Sequence, residues 1–256
     1  NNTAIGKDAL TTLTSGTLNT ALGGSTLKVN TTGGSNVAVG ASALIANTTA
    51  SNNVAVGKFA MVANTTGTQN VAIGSLALDA NTTANDNVAV GYTAGTANTT
   101  GASNTFVGSE SAIANTTGHS NAAFGKRSLY TNSTGASNTA LGKDALYANT
   151  TASNNTAVGA DALTANTTGS NNTGIGSLAL DANTSANYNT AVGYQALSST
   201  TTGDLNTAVG QDCLRDNTTG ESNVAVGLSA LRASTTADNN TAIGQSALKE
   251  NTTGFQ

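Results

Sequence analysis

Two carboxylates seventeen residues apart, Asp144 and Asp161, are the pair in this chain most open to general acid–base work, provided the fold lays them side by side. No histidine, lysine-lined pocket or aromatic platform accompanies them in the sequence, so they read as scattered surface charge. His119 is the one histidine and occupies a position where neighbouring segments carry Ala, Ser or Asp; it reads as a solvated turn residue. Cys213 is the one cysteine, so it forms no internal disulfide. Without a second Cys or His it cannot anchor a structural metal site, and it reads as a packed thiol. The glycine-punctuated NTAVG segments are not followed by a helix and therefore do not make phosphate loops. The acids are also too sparse for a calcium-binding solenoid, which needs them in every turn. The expectation is a chain that is not an enzyme, with no cofactor and no metal.

Two residue patterns recur often enough to carry a function. At the second asparagine of the repeat, Asn-x-Thr/Ser recurs in twelve coils, at Asn30, Asn47, Asn64, Asn81 and eight further positions, each a candidate N-glycan acceptor in an exported protein. The competing and favoured reading of these asparagines is a buried ladder. Hydroxyl pairs such as Thr48–Thr49 also recur and are similar to the rows on ice-binding solenoids. Those use Thr-x-Thr, which keeps both hydroxyls on one face, whereas adjacent threonines face opposite sides. Ice binding is accordingly a minor alternative.

The elements that position these residues follow from the composition and the repeat. Asn (34), Thr (46), Ala (44) and Gly (29) make up 153 of 256 residues. Charged residues are 9%, aromatics 4%, and there is no Pro or Trp. A globular enzyme carries about a quarter charged residues. The net charge of −4 is spread thinly, with no basic stripe for nucleic acid. No apolar run approaches the ~18 residues of a membrane span.

From Gly6, every seventeenth residue to Gly244 is Gly, including Gly23, Gly40, Gly57, Gly74 and Gly91, fifteen of fifteen without an insertion. Four residues before each stands Asn, among them Asn19, Asn36, Asn53, Asn70 and Asn87. The consensus is N-[TV]-A-[VIL]-G-x-x-A-L-x-A-N-T-T-[GA]-x-x. Helix-pair repeats need about 33 residues or more, and Gly with Thr-Thr and Val runs is poor helix material. The pattern suits short strands between turns. The fold class is therefore all-β, a parallel β-solenoid (a β-roll or β-helix) with one 17-residue coil per repeat. Fifteen coils at about 4.8 Å each would form one continuous solenoid over residues 1–256, about 72 Å long.

Within a coil, the large residue before the Gly is expected inward, with Val39, Val56, Ile73 and Val90 joining Leu44 and Leu78 in the core. Ala38, Ala55, Ala72 and Ala89 are then expected outward. Their uniform small size marks a face for self-association. The asparagines and glycines are expected as stacked ladders and corners. The chain starts at Asn1 rather than Met, and its last repeat, ending in Phe255 and Gln256, is nearly regular. It reads as a piece of a longer or polymerising fibre.

Asn189 to Leu197 (NTAVGYQAL) and Asn166 to Gly176 (NTTGSNNTGIG) resemble the repeat regions of phage tail-fibre-like surface proteins. The N-x-A-[VI]-G core is also similar to the head repeats of trimeric autotransporter adhesins. That resemblance implies a left-handed rather than right-handed β-roll that trimerises, although the 17-residue period is longer than the adhesin repeat. The expected function is a structural extracellular fibre or filament segment on a cell or virion surface, a spacer or adhesive shaft. It would self-associate side by side or end to end as a homo-oligomer, trimer or filament. The alternative is a surface- or glycan-binding module in which Tyr92, Tyr194, Phe59, Lys58, Arg127 and Gln195 form a recognition stripe for a cell-surface glycan.

Overall fold

A computed structural model describes residues 1–252 and Gly254; Thr253, Phe255 and Gln256 lie outside the described residues. Among the described residues there is no helix, hence none long and apolar enough to cross a membrane. The chain divides into two compact units, each a parallel β-solenoid with a 17-residue coil. The first, Asn1–Arg127 with Asn132–Thr134, holds β1 (Thr3–Ile5), β2 (Thr20–Leu22), β3 (Val37–Val39), β4 (Val54–Val56), β5 (Val71–Ile73), β6 (Val88–Val90), β7 (Thr105–Val107) and β8 (Ala122–Phe124). The second, Ser128–Thr131 with Gly135–Gln256, holds β9 (Thr139–Leu141), β10 (Thr156–Val158), β11 (Thr173–Ile175), β12 (Thr190–Val192), β13 (Thr207–Val209), β14 (Val224–Val226) and β15 (Thr241–Ile243).

Within each unit consecutive strands pair parallel and in chain order, every residue opposite the one seventeen further on. Val37, Ala38 and Val39 face Val54, Ala55 and Val56; Thr156, Ala157 and Val158 face Thr173, Gly174 and Ile175. Coil-to-coil bonding extends beyond the three-residue strands. Leu44 N–H donates to the Ala60 carbonyl at 3.1 Å, Thr48 N–H to Thr65 at 3.1 Å and Asn52 N–H to Gly34 at 3.1 Å. An inserted residue would shift all of these bonds together, which is why the repeat admits no change of length.

The invariant glycine ends the strand. Gly74 sits at φ +140°, and a Cβ there would fall 2.2 Å from the Gly91 carbonyl oxygen of the next coil. Side-chain strain and a backbone clash coincide, so only Gly fits. Two residues after the glycine, and again two further on, the chain turns left-handed at non-glycine residues, as at Ser42 (φ 57°) and Leu44 (φ 50°). A left-handed leucine costs about 1–2 kcal/mol locally, and here it delivers the side chain into the coil interior, where Leu44 is fully buried.

The strand faces the opposite way from the sequence expectation. Ala38, Ala55, Ala72 and Ala89 are fully buried, so they are core and not a self-association face. Val39, Val56 and Val90 are half-exposed and Ile73 is 40% exposed, so they point outward. Leu44 and Leu78 are buried core as expected. The physical reason is parity. In N-V-A-V-G the asparagine and alanine share one face of the strand and the two valines share the other. Because Asn36 and its counterparts are buried, the alanines must be buried with them.

Volume explains why only alanine fits there. Coil interiors hold Leu44, Asn36, Asn47, Ala43 and Ala38 in one thin layer. The exception is instructive. Phe106 replaces the strand alanine and is fully buried, and the leucine position is Gly95 in the coil before and Ala112 in its own coil. A Cβ on Gly95 would fall 2.7 Å from Phe106 Cδ2, so the ring occupies space that leucines fill elsewhere.

Phe106→Ala alone is expected to cost about 3–5 kcal/mol, and Gly95→Leu alone to be destabilising by overpacking. Combining Phe106→Ala with Gly95→Leu and Ala112→Leu restores the repeat consensus and should recover most of that loss. Urea unfolding of the single and combined variants checks this; additive losses would show that the three sites do not share one cavity.

Candidate functional site: buried amide ladders and an outward aliphatic face

The chemistry-capable residues are not gathered into one centre. Asp144 is buried and ion-paired with Lys143 Nζ at 2.6 Å. The carboxyl of Asp181 is raised above its ordinary range, first by burial and then by the nearby charge of Asp161. His119 is exposed, with Nδ1 3.4 Å from Ser120 Oγ. Cys213 takes the place of a core alanine, and its thiol donates to the Ala225 carbonyl at 3.2 Å. Burial pushes that thiol up from about 9 to about 11. Among the described residues no three His, Cys, Asp or Glu are grouped to hold a metal. A shallow recess of about 150 Å³ is lined by Asp216, Arg232, Ala233, Lys249 and Glu250.

The aromatic stripe assembles only in fragments. Tyr92 and Tyr194 are exposed but belong to different units. Lys58 Nζ lies 4.9 Å above the Phe59 ring. Tyr130 and Tyr147, not part of the expected stripe, stack at 4.9 Å and 7° in the second unit.

The two asparagine positions build two different ladders. At the strand ladder, Asn36 N–H donates to Asn19 Oδ1 at 3.0 Å, Asn53 N–H to Asn36 Oδ1 at 3.0 Å and Asn70 N–H to Asn53 Oδ1 at 3.0 Å. Each side-chain oxygen thus stands in for a main-chain acceptor, and Asn36 Nδ2 donates to the Ala50 carbonyl at 2.9 Å. The same pattern runs through Asn87 and resumes in the second unit, as from Asn155 to Asn172. Such pairing is what burial of an amide requires.

The second ladder is side chain to side chain. Asn47 Nδ2 donates to Asn30 Oδ1 at 3.0 Å, Asn64 to Asn47 at 3.2 Å and Asn81 to Asn64 at 2.9 Å. The other N–H of each amide reaches the carbonyl three residues on, Asn47 to Ala50 at 3.1 Å. Asn30, Asn47, Asn64 and Asn81 are fully buried, and Nδ2 of the last three is committed twice, so the folded coil leaves no access for a glycan: of the two readings the ladder is the one the fold adopts, and the acceptor reading falls. The first threonine of each pair closes a third row, with Thr48 Oγ1 donating to the Thr65 carbonyl at 3.2 Å, while Thr49 is exposed.

The second ladder breaks where the sequence departs from Asn. Thr200 follows Asn183 and Ser234 follows Asn217, and the buried Oδ1 atoms of Asn183 and Asn217 are left without a partner. Asn217 Nδ2 reaches Thr200 Oγ1 only at 3.4 Å.

What the inverted strand exposes is two outward columns. One runs Thr3, Thr20, Val37, Val54, Val71, Val88, Thr105, Ala122 in the first unit and Thr139, Thr156, Thr173, Thr190, Thr207, Val224, Thr241 in the second. The other, just before the glycine, is Ile, Leu, Val or Phe in all fifteen coils. Sequence reasoning missed this face by placing its residues in the core. The signal that reveals it is the compensation between Phe106, Gly95 and Ala112, which only side chains sharing an interior require.

The chain matches no protein-family model, no curated protein and no solved structure.

Thr200→Asn and Ser234→Asn should each complete the ladder and raise stability by about 1 kcal/mol. Urea unfolding measures it, and a neutral or destabilising result would mean the orphaned oxygens are already satisfied by solvent. Cys213 should resist iodoacetamide at pH 8 in the folded chain and react on unfolding. Because its folded pKa is raised, its contribution to stability is full below pH 9 and falls as pH climbs toward 11. Rapid native alkylation at pH 8 would contradict this burial.

Proposed function

We propose that this chain is a non-enzymatic structural segment of an extracellular fibre on a cell or virion surface, serving as a spacer or adhesive shaft. The observation that carries this reading is the coil-on-coil bonding that recurs within each unit. Each coil is held to the next by main-chain bonds and amide ladders at one fixed register. Repeated units of this kind gain stability from neighbours and give length rather than a localised site. The resemblance to tail-fibre and adhesin repeats supports the surface placement. The scarcity of aromatic residues, 4% of the chain, supports a shaft over a glycan-reading stripe.

Antibody raised against the chain should label fibres projecting from the intact cell or particle that makes it; label confined to the cytoplasm overturns the reading. A spacer also tolerates loss of a whole coil. Deletion of residues 53–69 preserves every ladder and should shift Tm by only a few degrees, whereas deletion of residues 53–66 breaks the register and should abolish the fold. Circular dichroism distinguishes them, and equal damage from both deletions would count against a part whose role is length.

A further inference from the structure

We infer that the outward aliphatic face of the strands is the surface on which a second copy of this chain docks; this rests on the fibre reading and gives it an interface. Along this face the valines are mostly half-exposed and the larger residues exposed. Ile73 is 40% exposed, Phe124 40%, Leu141 46% and Ile175 39%. Neither column contains a charged residue in any of the fifteen coils. Lysines instead stand just past the glycine corner, at Lys7, Lys58, Lys126 and Lys143. An apolar centre with charge displaced to the rim is the composition of an interface core.

The area is sufficient. The eight coils of the first unit present sixteen outward strand side chains. Three of them are threonines; at roughly 50 Å² exposed apiece the sixteen offer on the order of 800 Å², one partner's share of a standard interface.

Two properties select a second copy as the occupant. The columns repeat at the strand spacing of about 4.8 Å, so a partner that matches them row for row over eight coils needs the same rise. The chain carries a net charge of −4, and a charge-free face is where two such chains meet without repulsion. The buried alanines are not involved.

Sedimentation velocity of the full chain from 1 to 100 µM tests the inference. The expected species is a multiple of 25.0 kDa. Val56→Lys, Ile73→Lys and Val90→Lys together should weaken association at least 100-fold with the circular dichroism spectrum unchanged. Thr49→Lys, Thr66→Lys and Thr83→Lys, on a different outward row, should leave it intact. If the strand-face lysines prevent folding, Ile73→Cys is the second probe: oxidation should link two chains across the face on a non-reducing gel. A wild-type chain that stays at 25.0 kDa, or an oligomer indifferent to both strand-face variants, overturns the inference. Fibre labelling on the producing cell would then still support the fibre reading, so the two fail separately.

Discussion

A coil corner presents a backbone problem on which the rest of either unit depends. The N–H of the asparagine that opens each strand meets no main-chain acceptor in its neighbouring coil, and a buried orphan of this kind costs about as much as a lost hydrogen bond. The Oδ1 of the preceding coil's asparagine takes that bond, as from Asn36 N–H to Asn19. This one contact pins the coil spacing, forces the asparagine inward, and through strand parity forces the alanine inward as well. It also turns the valines, isoleucines and leucines that precede the glycine to the outside.

The interior that results is unusual in being half polar. Two amides and one leucine fill a layer too thin for a second branched side chain, and the amides are satisfied by their own counterparts above and below. Polar burial is tolerable here because the partner is always another copy of the same group at the same place. Where the copy is missing, at Thr200 and Ser234, the preceding carbonyl oxygen is stranded. Stability is consequently a property of runs of coils.

The same inversion converts a puzzle of composition into a surface. A strand that spends its smallest residue on the core and its largest on solvent is costly for an isolated chain, because roughly 25 cal/mol is forgone for each Å² of apolar surface left in water. Within each unit most coils do so, with Phe106 an exception that turns its large residue inward. The charged residues flank that face rather than interrupt it.

The sequence by itself determined the solenoid, its 17-residue coil, the glycine corners, the leucine core and both asparagine ladders. Each of these is a periodic choice of residue type with one physical cause: Gly for a left-handed corner under a neighbouring carbonyl, Asn for an amide that bonds along the stack. Only the tertiary structure decided which way each strand faces. Strand alternation has two phases, and hydrophobicity alone prefers the phase that buries Val39 and exposes Ala38. Burial of Asn36 on the alanine's side and the narrow interior left by Leu44 select the other. The signal for it lay in the sequence at Phe106, Gly95 and Ala112, but those three residues speak to one another only once the coils are stacked, since contact across coils and not proximity along the chain makes their volumes compensate.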